Sequence, residues 1–302
     1  MKILYSPDYC ADIGKHVFPI EKYKKIYKQL VNNYPEIADC IISPRKALDK
    51  EVALVHTQDY IKKLKKGTLS PDDILRLELP YSKELVDASW GSAGGTILAC
   101  RYALSEEIAI SIGGGFHHAY PDHGEGFCVL NDIAIGIRCV LEEALIKKAL
   151  IIDCDVHQGN GTAAVFAQDS HVFTFSIHQY NNYPAIKTPS TFDINLPDGT
   201  TDEEYLLQLK SSLPRIIEEH KPELIIYVAG ADPYKNDQLG GLSLSMQGLE
   251  QRDEYIFTLA KKHNIAIAVV LAGGYAYAVA DTVTIHVNMI KKAIEAFFLN
   301  KL

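Results

Sequence analysis

The sequence lacks hydrophobic runs long enough to cross a membrane, and it lacks cysteine pairs of the kind that bind metals or form redox centres. No stretch approaches the roughly 18 consecutive apolar residues of a transmembrane helix, and the apolar start of the chain, Met1–Pro7, is too short for the core of a signal peptide. The six cysteines are scattered without a CxxC pair, which is typical of free thiols in a reducing compartment. We therefore expect a cytoplasmic protein without a membrane partner, and non-classical secretion stays open.

The chain also lacks an excess of positive charge, low-complexity linkers and internal repeats. Its formal net charge of -8 argues against direct nucleic-acid binding, but it leaves binding of a basic peptide or a polyamine open. A hydrophobic content of 47% and a charged content of 23% are those of an ordinary globular protein. We expect residues 1–302 to form a single domain.

Apolar runs rich in β-branched residues alternate with helical segments along most of the chain. Helices are predicted over 85–104, 131–146, 202–220 and 245–263. Strands are predicted to begin at 108, 148, 223 and 265, with a further strand at 171–178. This alternation predicts an α/β fold in which a parallel sheet is covered by helices on both faces.

Two adjacent histidines, His117 and His118, follow the first of these strands and a run of three glycines. In an open α/β sheet, ligands bind at the edge formed by the carboxyl ends of the strands. Paired histidines at that edge are typical of general acid–base catalysis or of metal binding. The alternative interpretation is that both are ordinary polar loop residues.

The strand that begins at 148 ends in a second polar cluster, Asp153, Asp155 and His157. These residues alternate, so in extended backbone their side chains would share one face. Two buried carboxylates and an imidazole are costly to desolvate together unless a cation neutralises them, and such donors suit a zinc-like ion. The alternative interpretation is a cluster that caps the next helix.

Two further apolar strands end in Asp232 and in the sequence Gly-Gly-Tyr at 273–275. Taken singly, Asp232 could cap a helix and Tyr275 could be a packed aromatic residue. Because the carboxyl ends of parallel strands meet at one edge, however, we expect the four strand ends to gather the groups that amide hydrolysis needs.

These motifs resemble those of the zinc-dependent histone deacetylase superfamily, in order and in spacing, over nearly the whole chain. The resemblance rests on GGGFHHA at 113–119, GFC at 126–128 followed by Asn131-Asp132, DxDxHxGNG at 153–161, AGAD at 229–232 and GGY at 273–275. HQGNG at 157–161, Tyr183-Pro184 and LGGLSLS at 239–245 are most similar to class IV and its bacterial relatives. The resemblance implies the three-layer arginase/deacetylase fold, with a central eight-stranded parallel sheet, and lysine deacylase chemistry.

By position, the resemblance implies one catalytic zinc ion bound by Asp155, His157 and Asp232. Three protein ligands leave the open coordination position that a catalytic zinc needs. It also implies a structural potassium ion, bound by main-chain oxygens and one hydroxyl. The potassium residues would be Asp153, Asp155, His157, Ser176 and Ile177.

The same resemblance implies the catalytic groups. His117 and His118 would hydrogen-bond the attacking water, with His118 as general base and acid, and Tyr275 would donate its hydroxyl to the developing oxyanion. Asp153 would orient His117. Behind His118 the chain has Asn160, where class I members have an aspartate, and a neutral amide favours a neutral His118.

The resemblance further implies a channel for the substrate, lined by Gly126, Phe127 and Tyr183. The substrate would be an acyl-lysine protein or peptide, or an acylated amine. With Phe116 and Tyr180 as further apolar walls and glycines beneath the zinc, we expect room for alkyl chains, so that kcat/KM rises from acetyl to longer acyl groups.

Several functions remain in competition. The leading one is a zinc hydrolase that removes acetyl or longer fatty acyl groups from protein lysines, and the first alternative is an acetylpolyamine or other small-molecule amidohydrolase. An arginase-like ureohydrolase would need two manganese ions and further Asp and His ligands. A catalytically silent module that binds acyl-lysine is the last alternative, and the intact acid–base pair and Tyr275 argue against it.

Overall fold

Eight parallel strands form the centre of the structure, a computed structural model that describes residues 1–297. The strands are β1 (Lys2–Leu4), β2 (Ile41–Ile42), β3 (Ile108–Ser111), β4 (Ala149–Asp153), β5 (Val172–Gln179), β6 (Phe192–Leu196), β7 (Leu224–Val228) and β8 (Ala266–Val270). Their order across the sheet is β2-β1-β3-β8-β7-β4-β5-β6, and every neighbouring pair is parallel. The last five residues of the expected single domain, 298–302, lie outside the described residues.

Ten α-helices accompany the strands within the described residues. They are α1 (Lys22–Asn33), α2 (Asp49–Val52), α3 (Gln58–Lys66), α4 (Pro71–Leu77), α5 (Lys83–Glu106), α6 (Asp132–Glu142), α7 (Asn160–Phe166), α8 (Asp202–His220), α9 (Met246–Lys262) and α10 (Val279–Phe297). Short 3-10 helices occur at Pro7–Tyr9 and Pro35–Cys40. Across residues 1–297, no helix has the length and apolar character needed to span a membrane.

Three of the four predicted helices agree with α5, α8 and α9 to within two residues at each end. The fourth, predicted to run to Ile146, ends at Glu142. Ala144 has a φ of 54°, in the left-handed region that an α-helix does not accommodate. The prediction of this helix end was therefore wrong by one turn.

Helices cover both faces of the sheet, so consecutive residues of one strand pack into different hydrophobic clusters. Ile151 belongs to a cluster that includes residues of α5, α6 and α7, whereas Ile152 belongs to one that includes residues of α1, α8, α9 and α10. Strands buried on both faces are apolar runs rather than alternating patterns. The predicted α/β fold, with an eight-stranded parallel sheet between helical layers, is confirmed.

The four central strands, β3, β8, β7 and β4, bring the predicted site residues to one edge of the sheet. The histidine pair follows β3, Tyr275 follows β8, Asp232 follows β7, and Asp155 follows β4. The expectation of extended backbone from Asp153 to His157 is wrong, because the strand ends at Asp153 and residues 155–157 form bends. Oδ1 of Asp155 accepts the main-chain N–H of His157 at 3.0 Å, which closes a tight turn.

Candidate metal centre and active site

Asp155, His157 and Asp232 form a buried cluster at this edge of the sheet. The three residues are 1%, 6% and 0% exposed, and one potential ligand atom of each lies within 4.8 Å of the others. Nδ1 of His157 lies 3.0 Å from Oδ1 of Asp155 and 3.5 Å from Oδ2 of Asp232. Ligand atoms about 2.1 Å from a tetrahedral zinc ion are about 3.4 Å apart, so these donors are spaced as a metal site requires.

Main-chain amides orient both carboxylates of the cluster. Val156 N donates to Oδ1 of Asp232 at 2.8 Å, and Gly273 N donates to Oδ2 of Asp155 at 2.8 Å. Oδ2 of Asp232 is buried and accepts no hydrogen bond from the described part of the chain. A buried carboxylate oxygen without a partner is costly, so its position fits a carboxylate arranged to bind a cation.

The electrostatics of the cluster also favour a cation. Burial and the neighbouring Asp155 carboxylate raise the pKa of Asp232 to about 7. Burial disfavours a charged His157, but its hydrogen bond with Asp155 and the negative charges of Asp155 and Asp232 outweigh burial and raise its pKa to about 10. Both shifts show surroundings that stabilise an added positive charge, which a divalent ion supplies.

Gly273 allows the loop after β8 to pass directly against the cluster. A Cβ atom at this position would overlap Oδ2 of Asp232 and would lie 2.5 Å from Oδ2 of Asp155. The loop would have to move away, and the amide of Gly273 would then lose its hydrogen bond to Asp155. The GGY motif therefore has a steric role at the cluster, besides carrying Tyr275.

His117 and His118 lie side by side, with ring centroids 4.1 Å apart, but they have different partners. Nδ1 of His117 lies 2.7 Å from Oδ2 of Asp153. Burial disfavours the imidazolium form of His117, yet the carboxylates of Asp153 and Asp155 raise its pKa to about 9. These carboxylates therefore favour the protonated form of His117.

His118 instead contacts a neutral amide, since its Nδ1 lies 2.6 Å from Oδ1 of Asn160. Burial, together with the positive charges of His117 and His157, lowers the pKa of His118 well below its usual value. His118 is therefore neutral at pH 7 and has a lone pair available for a proton. Neighbouring titratable groups whose pKa values are pushed apart are typical of an acid–base pair.

The glycine-rich loop that carries the histidine pair is held from behind by Asp132. This carboxylate accepts hydrogen bonds from the main-chain amides of Gly115 at 3.1 Å and Phe116 at 2.8 Å, and from the hydroxyl of Thr96. Asp132 is fully buried at the start of α6. Asn-Asp at 131–132 was part of the family resemblance, but its local pattern did not indicate this contact.

An open cavity of about 170 Å³ adjoins the cluster. It is lined by Glu78, His118, Gly126, Phe127, His157, Asn182, Tyr183, Leu239 and Tyr275. The lining includes all three residues predicted to contact substrate. Tyr180, which we expected as a further wall, is 58% exposed and lines a separate groove.

Tyr275 lines this cavity close to the cluster. Its ring centroid is 5.9 Å from that of Phe127 and 6.2 Å from that of His157. Burial and the carboxylates of Asp155 and Asp232 raise the pKa of Tyr275 well above its usual value. Its hydroxyl therefore keeps its proton and can donate a hydrogen bond.

Asp237 holds the loop that carries Tyr275, although it belongs to none of the sequence motifs. Its Oδ2 accepts the main-chain N–H of Tyr275 at 2.6 Å, and its Oδ1 accepts those of Leu239 and Gly240. The sequence signal was an acidic residue shortly before Leu-Gly-Gly, which is typical of any turn. The pattern therefore predicted a turn but not its role at the site.

Two acidic residues beside the cavity also had no predicted role. Glu78 lines the cavity, and burial raises its pKa. Glu125 accepts a hydrogen bond from Nδ2 of Asn160 at 2.7 Å. Its place directly before the GFC motif was the only signal that could have indicated it.

The residues expected to bind potassium lie on neighbouring strands and the loop after β4. Ser176 of β5 is the register partner of Asp153 of β4. Oγ of Ser176 lies 2.9 Å from Nδ1 of His178. Potassium binding at Asp153, Asp155, His157, Ser176 and Ile177 stays a prediction.

Comparison with known proteins identifies the family. The histone deacetylase domain matches residues 16–290. An uncharacterized protein of Picosynechococcus sp. is 37% identical over 285 residues, which cover 94% of this chain and 95% of that protein. Histone deacetylase 2 of Arabidopsis thaliana is 31% identical over 308 residues (94% of this chain, 78% of that protein), and a probable deacetylase of Archaeoglobus fulgidus is 32% identical over 253 residues (78% and 69%). This chain belongs to the histone deacetylase family.

Proposed function

We propose that this protein is a zinc-dependent hydrolase that removes acyl groups from lysine side chains, with residues 1–302 acting as one catalytic domain. Membership of the histone deacetylase family supports hydrolysis of an acylated substrate. The observation that carries the proposal is the cluster of Asp155, His157 and Asp232 beside a cavity that His118 and Tyr275 also line. The motifs of the chain favour class IV within the family.

Two carboxylates and one imidazole are a donor set that suits zinc and leaves one coordination position open. When bound, a zinc ion would polarise the substrate carbonyl and lower the pKa of a water molecule. A ureohydrolase centre would need a second set of Asp and His ligands. Within residues 1–297, Asp155, His157 and Asp232 are the one group of this kind.

Three surrounding residues have different roles: one transfers protons, and the other two stabilise the negative charge that develops during the reaction. His118 removes a proton from the attacking water and later delivers it to the leaving amine, because its low pKa keeps it neutral before the reaction. His117, kept protonated by Asp153, stabilises negative charge that develops nearby. Tyr275 donates its hydroxyl to the oxyanion.

The cavity walls position the acyl-lysine. Phe127 and Tyr183 present aromatic rings that contact the aliphatic side chain and exclude water. Gly126 and Phe127 have φ values of 52° and 67°, so the chain turns sharply beside the cavity. The carbonyl of Gly126 would accept the N–H of the substrate amide. A potassium ion near Ser176 would stabilise the loop after β4.

The space beyond the histidine pair limits the length of the acyl group. Two small cavities of about 20 Å³ each occur in this region; His117 and His118 line one of them, and the rings of Phe18, Phe116 and Phe127 line both. A cavity of that size holds about one water molecule. A chain longer than acetyl would therefore require the rings to move. The expected rise of kcat/KM with acyl length needs space that this conformation does not provide.

Glu78 favours a second candidate substrate, an acylated amine such as an acetylpolyamine. Its side chain lies in the cavity lining, and a carboxylate at this position attracts a substrate that carries a second ammonium group. The formal net charge of -8 also favours the approach of a positively charged substrate.

A turnover panel tests these proposals on the zinc-loaded protein. It contains lysine peptides with acyl chains of increasing length, together with acetylated polyamines. We expect zinc-dependent hydrolysis of acetyl-lysine that exceeds hydrolysis of long acyl chains. Faster hydrolysis of acetylpolyamines would support the second candidate, and binding of acyl-lysine without turnover would support the silent binding module and contradict the proposed reaction.

A further inference from the structure

Behind His118 lies a chain of hydrogen bonds that ends in a carboxylate. Nδ1 of His118 contacts Oδ1 of Asn160 at 2.6 Å, and Nδ2 of Asn160 donates to Oε1 of Glu125 at 2.7 Å. Asn160 is 1% exposed, and the side chain of Glu125 is 17% exposed. One buried amide therefore links the candidate general base to a carboxylate that no family motif assigns.

The chemistry of Glu125 determines which way the amide of Asn160 faces. An ionised carboxylate only accepts hydrogen bonds, so it must receive the NH₂ group of Asn160. The amide oxygen is then left for His118, and an oxygen acceptor requires a proton on Nδ1 of that imidazole. The lone pair of His118 consequently lies on Nε2, away from Asn160.

The surroundings of Glu125 hold it in place and keep it ionised. Its main-chain N–H donates to the carbonyl of Cys128 at 3.1 Å, and Cys128 N donates back to its carbonyl at 2.9 Å, which closes a turn. Burial alone would raise the pKa of Glu125. Hydrogen bonds with His123, Tyr183 and Asn160 outweigh burial and lower that pKa.

We propose that Glu125 is a positioning residue for His118, which acts through Asn160 to select the tautomer that accepts a proton on Nε2. This inference rests on the proposed function, because it assigns His118 as the general base. It also explains how a neutral amide behind that base can serve the reaction. Without the carboxylate, Asn160 can turn its amide over and present NH₂ to Nδ1, which favours the other tautomer.

Nitrogen-15 NMR of the zinc-loaded protein tests the tautomer without any substrate. Protonated and unprotonated ring nitrogens have different chemical shifts, and a His118→Ala variant identifies the signals of His118. We expect the proton of wild-type His118 on Nδ1 and a mixture of tautomers in Glu125→Gln, since a glutamine can donate or accept. A wild-type proton on Nε2, or an unchanged tautomer in the variant, would overturn the proposal.

Exchanging the amide and the carboxylate gives a kinetic test. In Asn160→Asp, the new aspartate would face Glu125 where a 2.7 Å hydrogen bond now joins residues 160 and 125. Repulsion between the two carboxylates would move the side chain at position 160 away from His118. In N160D/E125Q, the new glutamine donates to the new aspartate, which still accepts from Nδ1 of His118. We expect each single variant to lose about tenfold in kcat, and the double variant to be more active than either.

The remaining outcomes separate positioning from other roles. A double variant no more active than Asn160→Asp would overturn the proposal. A raised KM with an unchanged kcat in Glu125→Gln would also overturn the proposal. That result would mean that Glu125 affects substrate binding, through its contact with Tyr183 in the cavity wall, and not the function of His118. Glu218→Gln, on the exposed side of α8, is the matched control. If wild type hydrolyses no member of the panel, the proposed function fails while the NMR experiment still decides the tautomer.

Discussion

Asp232 accepts a hydrogen bond from the main-chain amide of Val156 on Oδ1, at 2.8 Å, whereas its Oδ2 lies buried and accepts none from any residue in the range 1–297. One oxygen therefore fixes the orientation of the carboxylate, and the other faces Nδ1 of His157 at 3.5 Å. Oδ1 therefore has a structural role, whereas Oδ2 is the oxygen that we propose binds the metal.

We expect Asp232→Asn to fold but to lose the metal. The amide oxygen can still accept from Val156, which turns the NH₂ group, a poor ligand, toward His157. Elemental analysis should show about one zinc ion per wild-type chain and almost none in the variant, with activity reduced by roughly 10²-fold or more. Asp39→Asn, at an exposed position, is the control. Two equivalent divalent ions in wild type would favour the ureohydrolase alternative.

Tyr275→Phe should keep the zinc ion and lose most of the turnover. The proposed role of the hydroxyl is to donate to the oxyanion, and loss of one such donor costs about 10²–10³ in kcat. Steady-state kinetics with acetyl-lysine peptide should show the loss in kcat rather than in KM. Tyr277→Phe, whose side chain is 79% exposed, should behave as wild type. A near-normal kcat in Tyr275→Phe would show that another group stabilises the oxyanion.

Two glycine substitutions should have opposite effects. Gly273→Ala would place a Cβ against the carboxylates of Asp232 and Asp155, so we expect loss of zinc and activity. At Gly91, within α5, a Cβ would only touch the ring of Tyr9 at 3.7 Å. Gly91→Ala should keep the zinc and increase the free energy of unfolding by up to about 1 kcal/mol, because alanine favours the helix. Full zinc content in Gly273→Ala would contradict the steric argument.

His56 should make the free energy of unfolding depend on pH. It is 2% exposed, its Nε2 accepts the main-chain N–H of Asn131 at 3.0 Å, and burial lowers its pKa to about 4. In the unfolded chain, the imidazole of His56 is protonated below about pH 6.5. Between pH 6.5 and 4, the unfolded chain therefore binds more protons at His56 than the native protein does. Stability therefore falls as the pH falls through this window, by up to about 3 kcal/mol from this residue.

Urea unfolding of wild type and His56→Gln at several pH values measures this contribution as the difference between the two curves. The glutamine oxygen can still accept from Asn131, but it does not titrate. The variant should lose part of the pH dependence that wild type shows. Parallel curves for wild type and His56→Gln would show that His56 does not titrate in this window.

Phe116→Ala should shift the acyl preference toward longer chains. The ring of Phe116 lines both small cavities, of which one adjoins the histidine pair, so its removal would join them. Each methylene buried there contributes about 0.8 kcal/mol of favourable free energy. This should raise kcat/KM for longer chains, relative to acetyl, by roughly fourfold for each methylene. Phe192→Ala, on β6, is the control. A ratio of octanoyl to acetyl turnover that does not change would show that the rings do not limit acyl length.

Local pattern in the sequence was sufficient for five of the eight strands, and it placed four of the proposed site residues just after the central strands. The central strands are buried on both faces, and only an apolar run can form such a strand. His118, Asp155, Asp232 and Tyr275 each follow one of these runs within a few residues. Because parallel strands share a direction, their carboxyl ends had to meet at one edge, and the meeting of the four segments was predictable.

Only the tertiary structure decided which groups support those residues. Gly273 and Asp155 are 118 positions apart, and Asn160 and Glu125 are 35 apart. Periodicity reports which residues are buried, but a hydrogen bond needs two atoms at about 3 Å, a distance set by the packing of the whole sheet and its loops. The partners Glu125, Asp132 and Asp237, the turn at Asp155 and the exposure of Tyr180 therefore emerged from the fold rather than from any local pattern.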